Sequence, residues 1–208
     1  MRVLGPLDQP GGLDPARLFQ PPVDTVWLEI GFGAGEHLAW QAAAHPGIGF
    51  IGCEPFVNGV GALLAEIERT SLANVRIHDD DARPLLGALA PGSIGRCFIL
   101  FPDPWPKQRH HKRRLIGPAT VDALARVLAD GAELRVATDD PAYLAWILAV
   151  VRAHGAFAWV VTGPADWRVR PPDWPATRYE LKAREAGRMP SFLRFKRRPR
   201  PPMAARTT

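Results

Sequence analysis

Val26-Trp27-Leu28-Glu29-Ile30-Gly31-Phe32-Gly33-Ala34-Gly35 is a short apolar run that ends in three closely spaced glycines. Five to six apolar residues closed by glycine are too few for a stable helix and suit a buried strand over 26–31. Gly31 and Gly33 permit a tight turn and let a ligand approach the backbone. An Ala-rich stretch, 36–45, follows with helical character and stops at Pro46. Strand, glycine turn and helix form the opening unit of a parallel α/β sheet.

The alternation continues outward from that unit. Strands are predicted at 48–54, 74–79, 95–101 and 132–138. Helices are predicted at 57–69, where Leu63, Leu64 and Ile67 share a face, and at 83–89, 118–129 and 141–155. Pro118 suits the first turn of its helix and Gly131 a position just past the end. A strand at 157–163 and a last alternating run, 191–196, which serves as a closing strand, bring the number to seven. The expected architecture is a Rossmann-like, doubly wound, mostly parallel seven-stranded sheet. Ligands on such sheets bind beyond the carboxyl ends of the strands. Thirteen of the 22 prolines lie in 1–22 and 164–208. This divides the chain into a Pro-rich lead (1–22), one domain (23–198) with a looser C-terminal part, and a flexible tail (199–208).

The chain has 208 residues, 47% hydrophobic and 23% charged, enough for a sizeable core without disulfides or metal. Its longest stretch free of Asp, Glu, Lys and Arg, His37 to Cys53, is too short and too polar to span a bilayer. The opening MRVLGPLDQPGG lacks the apolar core of a signal peptide, so a cytoplasmic location is expected. Cys53 and Cys97 sit in apolar runs and read as small buried hydrophobes. The net charge of +5 conceals an asymmetry. Residues 178–206 carry ten Lys/Arg against Glu180 and Glu185, and 107–114 carry five with no acid. Two basic islands on an acidic body point to a polyanion, nucleic acid above all.

The glycine turn reads G-x-G-x-G. A dinucleotide fingerprint needs Gly where Glu36 stands. An acid at a helix start also repels a pyrophosphate. Both points favour a nucleoside ligand without phosphates, such as S-adenosylmethionine. Glu54, 19 residues beyond Gly35, ends the second strand, where a carboxylate can accept from ribose hydroxyls. Asp79, Asp80 and Asp81 crowd the end of the third strand, one of them available for an adenine amino group.

FILFPDPWPKQRHHKRR, 98–114, carries the chemistry. Asp103 lies just past the fourth strand. Pro102, Pro104 and Pro106 stiffen the loop, and Trp105 adds a rigid face. Seven of the eight residues Lys107 to Arg114 are basic or His.

These segments resemble the bacterial tRNA (guanine-N7)-methyltransferases of the TrmB family over roughly residues 25–197. LEIGFGAG, FPDPWPKQRHHKRR, Thr138-Asp139 and TRYE (177–180) carry the resemblance. It implies a class I S-adenosylmethionine-dependent methyltransferase fold, with S-adenosylhomocysteine as product. It implies a donor held by Glu29, Glu54, Asp81 and Asp103 around Gly31, Gly33 and Gly35, with Asp103 also the catalytic residue. It implies a tRNA partner held by Lys107, Asp139, Thr177, Arg178, Tyr179 and Glu180, and a guanine target in the variable loop. Arg109, His110, Lys112, Arg113 and Arg114 join the expected tRNA contacts through the basic run. Arg178 and Tyr179 stand where the family usually has Lys and Phe, and the segment before the first strand is short. No metal and no obligatory protein partner are expected. An amino-methyltransferase on nucleic acid and a non-catalytic tRNA-binding protein stay open as alternatives. A nicotinamide-dependent dehydrogenase is disfavoured, since the third glycine is misplaced.

Overall fold

Five apolar runs alternating with helices lie side by side as parallel strands. They are β1 (Val26–Ile30), β2 (Gly49–Cys53), β3 (Val75–His78), β4 (Ile94–Leu100) and β5 (Leu128–Thr138). Helices α1 (Glu36–Ala44), α2 (Val57–Thr70), α3 (Ala82–Ala88), α4 (Pro118–Val127) and α5 (Pro141–His154) follow them in turn. Beyond come β6 (Phe157–Trp159), α6 (Ala165–Arg168), α7 (Arg178–Glu185) and β7 (Ser191–Arg197). The structure is a computed structural model and describes residues 10–201. The seven strands run in the order β3-β2-β1-β4-β5-β7-β6. β7 is antiparallel to both β5 and β6. The order therefore reverses beside β1, which pairs with β2 on one side and β4 on the other.

Side chains alternate across β1. Val26, Leu28 and Ile30 enter the apolar layer that also holds Ile51, Leu124 and Val136. Trp27 enters the opposite layer with Phe50, Phe98 and Trp174. Period-2 alternation sends successive residues to opposite faces, so both faces of the sheet are filled. Burial of each Leu, Ile or Phe stabilises the fold by roughly 1.5–3 kcal/mol. No helix of the described residues is long and apolar enough to cross a membrane.

Four details differ from the sequence reading. The helix predicted at 118–129 ends at Val127, and Gly131 (φ +82°) lies inside β5 rather than capping the helix. It sits where the β4–β5 register shifts, a bulge that glycine accommodates. The run predicted to close the sheet, β7, lies inside it, because Phe192, Leu193 and Phe195 are all buried. The strand expected over 157–163 shrinks to the three-residue edge β6, of which only Phe157 is buried. Helices α6 and α7 arise in the stretch expected to be loose. Trp174 plugs that stretch into the core, and Asp173 pairs with Arg135 at 2.7 Å.

The Pro-rich lead is packed from residue 10 onward. Gly11 and Leu13 donate to the carbonyls of Gly87 and Ala88, and Phe19 is buried. At the other end Arg200 donates to Asp130 and to the carbonyls of Arg126 and Leu128. The tail expected from 199 is thus anchored at its start; 202–208 lie outside the described residues.

Both thiols are buried, and burial pushes the pKa of Cys53 and Cys97 well above the ordinary thiol range, so both stay protonated. The thiolate is the reactive form. Iodoacetamide at mildly alkaline pH is therefore expected to spare both in the native protein and to label both after denaturation, as read by intact-mass spectrometry.

Candidate active site

Beyond the carboxyl ends of β1, β2 and β4 the connecting loops enclose a cavity of about 360 Å³. Gly31, Glu54, Phe56, Asp81, Asp103, Trp105, Arg113 and Tyr179 are among the residues that line it. Its position is the switch point of the sheet.

The turn after β1 holds its shape by an acceptor from the next strand. Glu54 accepts from the N–H of Gly33 at 2.8 Å and of Phe56 at 3.1 Å, so one buried carboxylate fixes both loops. A Cβ built on Gly31 would meet no protein atom within 4 Å, which leaves open room at that wall. At Gly33 the case is opposite. Its φ is +58°, and a Cβ there would lie 2.8 Å from the Tyr179 ring. Gly59 of α2 packs onto the same turn, where a Cβ would stand 2.2 Å from the Gly33 carbonyl oxygen. Gly35 (φ +82°) is the N-cap of α1.

Asp81 caps α3 through the N–H of Arg83 at 2.8 Å and pairs with the Arg83 side chain at 2.5 Å. Of its two neighbours, Asp80 also lines the cavity. Asp103 is exposed on the loop after β4. That loop is strained: Phe101 (φ +51°) and Trp105 (φ +43°) are left-handed without being glycine. Arg114 braces it. Its Nε donates to the Pro104 carbonyl at 2.8 Å, and its guanidinium lies 5.0 Å from the Tyr143 ring and 5.1 Å from that of Trp146. Tyr143 is fully buried, and that burial raises the pKa of its phenol.

The predicted residues are thus only partly brought together. Glu54, Asp81, Asp103 and Gly31 share one cavity. Glu29 does not: it is 2% exposed, and its carboxylate meets His37 Nδ1 at 2.6 Å in a recess behind the glycine turn. Arg114, expected to face tRNA, is 5% exposed and is a brace within the loop. Lys107, Arg109, Lys112 and Arg113 are exposed, with Arg113 stacked 4.9 Å above Trp105 and His110 edge-on to the same ring. Asp139 pairs with Arg188 at 2.6 Å. Thr177 caps α7 by accepting from the Glu180 N–H, and Glu180 is buried between Arg170 (3.1 Å) and Arg184 (2.9 Å). Arg178 donates to Glu36 from its backbone N–H at 3.1 Å and its Nε at 2.7 Å, which raises its own ionisation.

A family model described as "Putative methyltransferase" matches residues 24–192. A tRNA (guanine-N(7)-)-methyltransferase of Rhodospirillum rubrum is 58% identical over 188 residues, which is 90% of this chain and 74% of that protein. The chain belongs to the tRNA (guanine-N(7)-)-methyltransferase family. The enzyme of that name from Paramagnetospirillum magneticum is 53% identical over 90% of this chain and 79% of its own length. Among solved structures, the 16S rRNA methyltransferase KamB is similar in fold, with a TM-score of 0.61 at 15% identity over 88% of this chain and 92% of its own. A 16S rRNA (adenine(1408)-N(1))-methyltransferase mutant from Catenulisporales acidiphilia, solved with S-adenosylmethionine, gives 0.55 at 18% identity over 88% and 91%.

The cavity suits the methyl donor of this family. Glu54 and Asp81 could supply acceptors to it, Gly31 leaves room against the backbone, and carboxylates disfavour a phosphate-bearing ligand. Several contributors escaped the sequence reading. Phe56 and Arg83 line the cavity, and His37 and Gln41 back Glu29. Helix α7 had a visible signal, since Thr177-x-x-Glu180 is a capping-box pattern before a helix.

Replacing Arg114 by Ala strands a carbonyl and uncovers two rings, and is expected to cost about 1–3 kcal/mol in chemical denaturation. Lys112→Ala, at an exposed site, should stay within about 0.5 kcal/mol of the native value.

Proposed function

We propose that this protein transfers the methyl group of S-adenosylmethionine to N7 of a guanine in the tRNA variable loop, with Asp103 at the reacting end of the cavity. One observation carries the reading: Glu54, Asp81 and Asp103 converge on one cavity whose outer wall is the strained 101–106 loop, and that loop runs directly into the exposed cations of 107–113. Donor side and RNA side are then two faces of one segment.

The bound donor supplies an electrophilic methyl group on a sulfonium. Guanine N7 carries an in-plane lone pair and has no proton to lose, so the N–C bond forms as the S–C bond breaks and no base is required. The protein's task is alignment, which can lower a barrier by up to ~7–11 kcal/mol. The purine becomes cationic on methylation, and Asp103 is placed to stabilise that charge as it develops. Glu54 and Asp81 hold the donor, and Glu29 acts one layer behind, fixing the turn through His37. A guanine in a stacked loop must be drawn out to reach the cavity. Trp105, stiffened by its proline neighbours and stacked under Arg113, borders the entry. Lys107, Arg109 and Lys112 track the phosphate backbone, and the protein acts on its tRNA in the cytoplasm.

The test is methyl transfer from labelled S-adenosylmethionine to tRNA lacking 7-methylguanosine, followed by nucleoside analysis and mapping. 7-Methylguanosine at the variable loop upholds the reading. N6-methyladenine or N4-methylcytosine would replace it with an amino-methyltransferase, and donor that fails to bind would leave a tRNA-binding protein. Asp103→Ala should abolish turnover with an unchanged circular dichroism spectrum. Lys107→Ala combined with Lys112→Ala should weaken tRNA binding and flatten the log–log salt slope, measured by filter binding, by about 0.9 for each phosphate that the variant no longer neutralises.

A further inference from the structure

Glu36 is the residue that breaks the dinucleotide fingerprint, and the proposed chemistry gives it no part. It opens α1 directly behind the glycine turn. Its carboxylate takes two bonds from Arg178, one from the backbone N–H and one from Nε. The backbone bond matters most, because it fixes the start of α7 and not merely a long side chain. The next residue, Tyr179, then lies across the turn with its ring against Gly33. Its ring borders three cavities: the central one, the recess holding Glu29 and His37, and a third beside Gly33, Glu54 and Phe56. Nearly half exposed, Tyr179 is not there to fill the core.

We infer that Glu36 is a positioning residue, which docks the start of α7 on the glycine turn and so places Tyr179 as a wall of the donor cavity. The segment that resemblance gives to tRNA thereby also serves the donor, and its donor role operates with no RNA present. The inference rests on the reading of the central cavity as the donor pocket. It accounts for an acid at position 36: glycine there would leave Arg178 without this partner. The Glu36–Arg178 pair is solvent-exposed on both sides, so its loss should cost the fold little.

The experiment is calorimetric titration of S-adenosylhomocysteine into the full chain without RNA, with melting temperatures recorded beside it. Tyr179→Ala should weaken binding roughly three- to tenfold, the range of one aromatic contact. Glu36→Ala should also weaken it at an unchanged melting temperature, and Glu36→Gln, which keeps one acceptor, should fall between. Tyr179→Phe should restore binding. Because Glu36 acts through Tyr179, the double Ala variant should bind no worse than Tyr179→Ala alone. Independent, multiplying losses would overturn the positioning role, as would single variants that bind like the native chain and lose only tRNA affinity. A native chain that binds no S-adenosylhomocysteine would overturn the donor reading itself, and this inference with it.

Discussion

The carboxylate of Glu54 is the constraint on which the site depends. It is buried at the end of β2, where an unpaired charge would be costly. Two backbone N–H groups from two different loops satisfy it. One of these bonds satisfies Gly33 in the glycine turn, whose Gly31 and Phe32 N–H groups donate to the Cys53 carbonyl. The carboxylate ties the two loops to each other. The switch point supplies the topology, but this hydrogen-bonded acid makes the topology into a shaped wall.

A second constraint works on the opposite wall. The loop after β4 stores left-handed backbone at Phe101 and Trp105, each costing of order 1–3 kcal/mol. Such conformations persist only where surroundings over-determine them. Three prolines narrow the alternatives, Arg114 ties the loop to Tyr143 and Trp146, and the Phe101 N–H donates to Ala137. Rigidity here suits a reaction whose main demand is alignment.

Much of this was legible in the sequence because it rests on local pattern. Strand-plus-glycine units gave the sheet, and their spacing put Glu54, Asp81 and Asp103 at the strand ends. Partnering was not legible. Nothing in the spelling of KQRHHKRR separates Arg114, buried under two rings, from Lys112, exposed to water. Nor does LEIG tell that Glu29 turns towards His37, since that depends on which face of β1 α1 covers. The C-terminal part misled for a related reason. Its prolines and charges read as loose, yet Trp174 and the Arg135–Asp173 pair come together only through the sheet and tie it down. The interior place of β7 likewise follows from a long-range antiparallel pairing that no local period encodes.

Gly59 shows how this arrangement constrains the chain's further evolution. A glycine inside a helix is less stable than alanine there by roughly 0.5–1 kcal/mol. By the usual rules for stabilising a helix, α2 would gain from a methyl group at that position. But that methyl would press on the carbonyl of Gly33, the residue whose N–H is held by Glu54 and whose face is covered by Tyr179. The weak point of α2 is thus the clearance that lets helix and turn meet backbone to backbone. Selection for thermal stability and selection for a correctly shaped cavity wall pull in opposite directions at one hydrogen atom.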